Sequence, residues 1–435
     1  MTAVFAVLSA MSLVVLDAGM LNVALPVLSE RLAVAPSQAI LTVTAYQAGL
    51  VMALLPAGAL GERFGLRRIF VLGVSLFALA SLACAAAPGL GWLVAARLIQ
   101  GLGGAAVMAL GVALLRQALP PDRLGAAIGW NALTVALASA TAPALGAAIL
   151  AAASWRGLFL ANLPIVALSL LAARGLPAGR GAVRRIDPVA MLLNATGFGF
   201  FILAVARAPT HPIQAALAAA AGLVGFVLLV RRETGKVAPL IPLDLLRQPT
   251  FRLSVAASIC CFMGQALGLL SLPFLLHQQG FDPLATGLRL MVWPLAVALT
   301  APVAGRLADR LSTDGLCAAG GTTLSLGLAG AALAPPGLTL ICLGLSGVGF
   351  GLFQSPNNRN LFLSAPADRS GAAGGLQATA RVTGQTLGSL AATVLFGLGS
   401  EAPSLALGLG AALALTAGCV SLARGAPSQR STTAS

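Results

Sequence analysis

The sequence predicts an all-α integral membrane protein with fourteen membrane-spanning helices. Three observations support this fold class. Hydrophobic residues make up 58% of the chain and charged residues only 9%, whereas soluble domains average about 45–50% and about 25%. Apolar segments with the roughly 20 residues needed to cross a bilayer recur from end to end. Basic residues, in turn, concentrate in alternate loops.

The apolar segments define the helices in order. The first lacks a basic flank and a small-residue cleavage site, so we expect a retained helix rather than a signal peptide. Asp282 followed by Pro283 predicts the start of the tenth, because Asp caps helices and Pro favours their first position. The fourteen segments are residues 5–27, 38–59, 69–87, 92–115, 125–151, 157–174, 187–206, 212–230, 253–276, 285–305, 315–334, 337–358, 371–398 and 402–423.

The basic residues orient these segments. Of the 26 Lys and Arg residues, 20 fall in alternate loops or the C-terminal tail, and only three fall on the opposite side. Positive residues mark the cytoplasmic side of a membrane, so both termini are expected in the cytoplasm. The net charge of +14 therefore reflects topology, and we predict no nucleic-acid partner. The three remaining basic residues lie in or near helices: Arg97, Arg289 and Arg381.

The chain contains an internal duplication. Gly58–Arg63, after the second segment, and Gly305–Arg310, after the tenth, both read Gly-x-Leu-small-acid-Arg and lie 247 positions apart. Small residues at 129, 138 and 142 recur at 375, 384 and 388, an offset of 246. The sequence therefore predicts two pseudo-symmetric six-helix bundles with two inserted helices between them.

These repeats set the predicted domain boundaries. Related membrane halves place a binding site near the bilayer midplane at their interface. The linker Arg231–Arg252 is expected either to lie in the membrane interface or to be solvated. The predicted domains are a bundle over 1–174, the inserted helices and cytoplasmic linkers over 175–252, a second bundle over 253–423, and a disordered cytoplasmic tail over 424–435.

Asp17 is the only charged side chain between Val4 and Leu28. An ionised Asp at mid-bilayer costs roughly 2.5–3.5 kcal/mol on insertion scales, so it pairs with another group or carries a proton. The alternatives are proton coupling and a static hydrogen-bonding role. Arg97 is expected to face the bundle interior for the same reason. Arg381 is expected to meet either a polar or anionic substrate group or backbone carbonyls.

Several motifs resemble those of the major facilitator superfamily, in particular its fourteen-helix drug:proton antiporter branch. Leu16–Pro26 resembles the first-helix pattern L-D-x-T-x-x-N-V-A-L-P, with Gly19 in place of Thr. Arg97–Gly103 resembles R-x-x-Q-G-x-G, and Trp155–Pro164 and Gly349–Asn357 resemble the patterns at the start of helix 6 and within helix 12. The interdomain loop motif is matched by Gly58, Glu62, Arg63, Gly65, Arg67 and Arg68, and the antiporter motif of helix 5 by Gly129, Pro143 and Gly146, with Ala138 and Ala142 in place of two glycines.

The resemblance implies a major facilitator fold that works by alternating access. It implies that Asp17 and Arg97 couple transport to protons, and that the fifth helix bends as a hinge that blocks proton leakage. It also implies a conformational latch formed by the loop residues, together with their repeat at Gly305, Asp309 and Arg310. Orientation by positive charge alone is the alternative for that loop, and plain packing is the alternative for the fifth helix.

A substrate cavity needs apolar walls with a few polar groups. The predicted lining residues are the polar or aromatic side chains within the helices: Asn22, Tyr46, Gln47, Trp130, Asn131, Gln265, Trp293, Gln354, Asn357 and Arg381. The six cysteines show no C-x-x-C spacing, so we expect them to pack as small apolar residues.

The sequence contains no ATP-binding motif, metal-ligand cluster or nucleophile–base set. We therefore expect no enzyme activity and no cofactor, and a proton gradient as the energy source. The prediction is proton-coupled efflux of small amphipathic or drug-like compounds across the inner membrane, with the substrate, protons and lipid as partners. The alternatives are a dedicated metabolite exporter on the same fold and a non-transporting membrane receptor or scaffold.

Overall fold

The computed structural model describes residues 2–178, 187–207, 211–234, 245–333, 335, 337–365, 370–399 and 401–429, and over these ranges its regular structure is entirely helical. Two short 3-10 helices, Ala173–Gly175 and Leu245–Arg247, accompany sixteen α-helices. The α-helices are α1 Thr2–Arg31, α2 Pro36–Phe64, α3 Leu66–Ala85, α4 Leu90–Ala118, α5 Pro121–Ala152, α6 Arg156–Leu160, α7 Asn162–Ala172, α8 Pro188–Arg207, α9 Pro212–Glu233, α10 Pro249–Gln278, α11 Pro283–Leu290, α12 Val292–Leu307, α13 Thr313–Leu333, α14 Thr339–Leu363, α15 Ser370–Leu395 and α16 Ala402–Gln429.

The predicted membrane spans match this helix order. Within the described residues, 13 helical segments are long and apolar enough to cross a membrane. The remaining predicted span is α15, which is 26 residues long but carries more polar side chains. The sixth predicted span is divided into α6 and α7, and the tenth into α11 and α12. Each break comes directly after the residue four positions before a proline: Leu160 precedes Pro164, and Leu290 precedes Pro294. Proline has no amide hydrogen, so the helical hydrogen bond to that residue's carbonyl is missing.

The chain divides into two compact units. The first unit comprises Met1–Leu240 with Asp282–Gly287, and the second comprises Ile241–Phe281 with Leu288–Ser435. In the first unit α1 packs against α5 and α7, α2 against α4, and α3 against α4 and α7. The inserted helices α8 and α9 pack against each other, and α8 also contacts α2. There Asn194 Nδ2 donates a 2.8 Å hydrogen bond to the Met52 carbonyl, so the inserted helices belong to the first unit.

The second unit repeats these helix pairs. Helix α10 packs against α15 and α16, α12 against α14, and α13 against α14 and α16. The small residues of the second repeat lie at matching contacts. Ala142 repeats as Gly388. A Cβ added at Gly19 of α1 would lie 2.5 Å from Ala142 Cβ, and one added at Gly388 would lie 2.6 Å from the Met263 carbonyl oxygen of α10. The duplication in the sequence is thus a duplication of helix packing.

Several local predictions can be compared with the structure. The Ala285 amide donates a 2.6 Å hydrogen bond to Asp282 Oδ1, which confirms the predicted cap. Helix α16 extends to Gln429, beyond the predicted boundary at 423, and residues 430–435 of the predicted tail lie outside the described residues. The central part of the predicted linker, residues 235–244, also lies outside them.

Candidate functional site

Asp17 lies inside the first unit, on α1, and its carboxylate accepts hydrogen bonds from three side chains on two other helices. Arg97 Nη1 on α4 lies 2.5 Å from Oδ2 and forms an ion pair with it. Asn162 Nδ2 on α7 donates to Oδ1 over 2.7 Å, and Gln100 Nε2 donates to the same atom over 3.0 Å. Asp17 is 3% exposed and Arg97 is fully buried. The residue that the hydropathy pattern indicated is therefore the centre of a buried polar cluster.

The Arg97 guanidinium is held on several sides. Its Nη1 also donates to Gln100 Oε1 over 2.6 Å, and its Nε donates to the Thr42 carbonyl over 3.3 Å. Its central carbon lies 4.2 Å from the ring centre of Tyr46 and 5.8 Å from that of Phe159. Aromatic faces attract cations, most strongly where water is excluded. The positive charge is therefore balanced by one carboxylate and two rings.

Gln100 connects this ion pair to α3. Its Nε2 donates to Ser81 Oγ over 2.9 Å as well as to Asp17. Gln100 and Asn162 lie within the motifs that resemble those of the family, whereas Ser81 lies in none of these motifs. Gln100 could have been found from the sequence, because it is a polar residue within a membrane-length apolar segment and lies three positions after Arg97. Nothing in the sequence shows that Asn162 faces α1.

A second buried cluster lies inside the second unit. Arg424 Nε on α16 forms a 2.6 Å ion pair with Asp314 on α13. Its Nη1 donates to Ser254 Oγ over 2.5 Å and to Asn357 Oδ1 over 3.0 Å. Asn357 Nδ2 in turn donates to Ser258 Oγ over 3.1 Å. The sequence predicted Arg424 in the cytoplasmic tail. In the structure it is only 4% exposed, because its guanidinium connects α16 to α10, α13 and α14.

The structure separates the ten predicted lining residues into three groups by exposure. Tyr46 and Trp293 are each 1% exposed and Asn357 is fully buried. Tyr46 is covered by Arg97, Asn357 belongs to the Arg424 cluster, and Trp293 packs beside Gly268. These three side chains are therefore enclosed by the protein, and their predicted place in a substrate cavity stays a prediction. Trp130 is 60% exposed. The other six are half-buried, with Asn22, Gln47 and Asn131 in the first unit and Gln265, Gln354 and Arg381 in the second.

The predicted latch residues lie around the α2–α3 turn and its repeat. Gly65 forms the turn with φ +100°, a conformation that favours glycine. Arg67 Nη1 donates to the Leu176 carbonyl over 3.2 Å. Gly58 is half-buried, and Glu62, Arg63 and Arg68 are exposed. Their latch role stays a prediction.

In the second unit, the equivalent acid is paired. Asp309 accepts a 2.8 Å ion pair from Arg359 on α14, and the same guanidinium donates to the Ala308 carbonyl. Gly305 is half-buried and Arg310 is exposed. Arg359 thus ties the repeat of the loop to the neighbouring helix α14.

The predicted antiporter helix is the continuous helix α5, which Pro143 does not interrupt. Gly146 and Ala142 lie at its close contact with α1, whereas a side chain at Gly129 would meet open space. Close packing by small residues is therefore observed at one end of this motif only. A hinge role for Pro143 stays a prediction.

The comparisons with known proteins agree with this architecture. The family model of the Major Facilitator Superfamily matches residues 7–389, and the chain belongs to this family of membrane transporters. A relative in Escherichia coli, the uncharacterized transporter YebQ, is 41% identical, with 96% of this chain and 94% of that protein covered. The multidrug resistance protein Stp of Mycobacterium tuberculosis is 33% identical, with 86% and 72% covered.

A solved structure shows the same fold. The crystal structure of the peptide transporter POT in complex with sulfate superposes with a TM-score of 0.72 at 18% identity, covering 97% of this chain and 94% of that one. This likeness concerns the fold. The family match and the two relatives show that the protein is a multi-pass membrane transporter and not an enzyme.

Proposed function

We propose that this transporter exports small amphipathic compounds across the inner membrane in exchange for protons, with both termini in the cytoplasm. The observation that supports this proposal most directly is the buried Asp17–Arg97 ion pair within the first unit. A buried ion pair is a poor source of stability, because desolvation offsets much of its attraction. The similarity to a multidrug resistance protein supports the substrate class.

Protonation of Asp17 would change the interactions of this cluster. The Asp17 carboxylate accepts hydrogen bonds from Arg97, Gln100 and Asn162. A proton on Oδ2 would remove the charge that holds the Arg97 guanidinium and would compete with its hydrogen bond. Removing one charge of a buried pair costs about 3–5 kcal/mol, so protonation favours a different arrangement of α1 and α4. Exchange with water on alternate sides of the membrane would turn that preference into coupling.

The test is substrate-driven proton release from proteoliposomes under a pH gradient. Three fluorescent probes share one ring system and differ in charge: pyrenebutyrate, its neutral amide, and pyrenebutyltrimethylammonium. The variant is Asp17→Asn, which keeps the size and one hydrogen-bond acceptor of the side chain. The matched control is Glu401→Gln, the same acid-to-amide change at an exposed position just before α16.

Proton release in the wild type and in Glu401→Gln, lost in Asp17→Asn, is the expected result. Equal release in all three proteins would remove Asp17 from the mechanism. If no probe produces proton release or accumulates, multidrug efflux is wrong, and a dedicated metabolite exporter or a non-transporting receptor becomes the better interpretation.

A further inference from the structure

Arg381 is a charged side chain near the middle of α15, the predicted thirteenth membrane span. It is the twelfth of the 26 residues of α15, so it lies roughly 18 Å along the helix axis from the start of the span, at 1.5 Å per residue. Basic side chains near helix ends extend to the membrane surface, but one this far inside has no such route. Intramembrane ionisable residues of this kind line cavities or bind partners.

The position of Arg381 on α15 directs it toward the protein. One turn earlier, Gln377 Nε2 donates a 3.0 Å hydrogen bond to Asn358 on α14. One and two turns later, Gly384 and Gly388 pack directly against α10. Residues three, four and seven positions apart share a helix face. Arg381 therefore starts from the face that α15 presents to α10 and α14, and not from a lipid-facing one.

Arg381 nevertheless has no partner among the residues that the structure describes. It makes no hydrogen bond or ion pair with any described residue, although its Nε is buried. The described acids of the second unit are engaged or distant along the chain: Asp309 pairs with Arg359, Asp314 pairs with Arg424, and Glu401 lies outside the helices. The backbone-carbonyl alternative is therefore not observed. A basic side chain this far inside a membrane span is costly without a counter-charge, so a counter-charge from outside the protein fits this position.

We propose that Arg381 binds an acidic group of the transported compound, so that the preferred substrates are small amphipathic acids. This inference rests on the proposed export function and specifies its substrate class. A guanidinium presents a planar fork of donors that matches a carboxylate with two parallel hydrogen bonds. It repels a cation in the same place, which discriminates against cationic compounds. Gln265 on α10, the helix against which α15 packs, carries a further buried oxygen without a hydrogen-bond partner among the described residues.

Binding and transport are measured separately with the three pyrene probes. Binding is followed by pyrene fluorescence on the purified, detergent-solubilised protein, and transport by accumulation in proteoliposomes. The variants are Arg381→Gln, which removes the charge, and Arg381→Lys, which keeps it. The matched control is Arg252→Gln, the same change at an exposed position in the first turn of α10. Elution as a single species in size-exclusion chromatography shows that each variant is folded.

We expect the wild type and Arg252→Gln to bind pyrenebutyrate at least tenfold more tightly than the amide, and the cation more weakly still. Arg381→Gln should abolish the preference for the acid while leaving amide binding within about threefold, and Arg381→Lys should restore part of it. Equal affinity for acid and amide in the wild type, a preference that survives Arg381→Gln, or no binding of the acid would each overturn the proposal. Charge-selective binding without proton-coupled transport would instead contradict the proposed function alone.

Discussion

The two units share one pattern of helix packing but bury their charges in different places. In the first unit, Asp17 is the sixteenth of the 30 residues of α1, and its pair with Arg97 joins two helix interiors. In the second, Asp314 lies in the first turn of α13, and Arg424 lies near the end of α16. A carboxylate in the first turn is stabilised by the helix dipole, and a helix end lies close to water.

This difference indicates two roles for similar chemistry. The pair at helix ends connects neighbouring helices at low cost, whereas the pair at mid-helix is expensive and needs another justification. Arg381 extends the contrast, because it is a mid-helix charge without any partner among the described residues. We therefore propose that the charges at mid-helix serve transport and that the Arg424 cluster stabilises the second unit. Four predictions test this comparison of the two units.

The largest effect is expected when each arginine is neutralised in turn. Arg97→Gln should lower proton-coupled flux at least 100-fold, because it leaves Asp17 without its counter-charge. Arg424→Gln should keep flux within about threefold of the wild type while lowering the melting temperature in detergent. Flux in proteoliposomes and thermal unfolding are measured on the same preparations. Loss of flux in Arg424→Gln at an unchanged melting temperature would make the second cluster part of coupling.

A smaller effect should come from breaking the second pair from its acidic side. Asp314→Asn should destabilise the protein by about 3 kcal/mol, the lower end of the range for breaking a buried pair, because the Asp314 side chain remains 23% exposed. The double variant Asp314→Leu with Arg424→Met should recover part of this loss, since it removes both charges. Thermal unfolding of the single and double variants checks it. A double variant less stable than either single change would contradict a purely structural pair.

Equivalent helix contacts in the two units should respond alike to added bulk. Gly146→Val and Gly388→Val should each destabilise by about 1–3 kcal/mol, because overpacking forces the helices apart. The affected contacts are α1 with α5 and α10 with α15. Gly408→Ala is the control, since a Cβ there meets open space. A strong effect in only one unit would show that the packing equivalence does not extend to energetics.

The smallest effect is expected from trimming the Asp17 cluster. Asn162→Ala removes one of the two donors to Oδ1 and leaves Gln100 in place. A hydrogen bond of this kind contributes about 1 kcal/mol, so proton-coupled flux should fall roughly fivefold. The matched change Asn194→Ala, at a buried amide that donates to the Met52 carbonyl, should leave flux nearly unchanged. Equal losses in both variants would assign Asn162 a general packing role.

The sequence predicted those site residues whose burial is costly in any fold. Charge is costly in an apolar run wherever the run folds, so Asp17, Arg97 and Arg381 were identifiable without any contact information. Aromatic and amide side chains carry no such penalty. The structure buries Tyr46, Trp293 and Asn357, each within its own unit, and their predicted place in a substrate cavity stays a prediction.

The sequence by itself determined the helical membrane fold, the duplication and the residues whose burial is expensive, because the bilayer acts on each segment independently of the others. Only the tertiary structure decided which face of each helix meets which neighbour. That choice brings Asn162 and Gln100 to Asp17, encloses Arg424 with Asp314, and leaves Arg381 without a partner among the described residues. Lipid-facing and protein-facing positions of these helices are similarly apolar, so their hydropathy does not encode the rotation that sets these contacts.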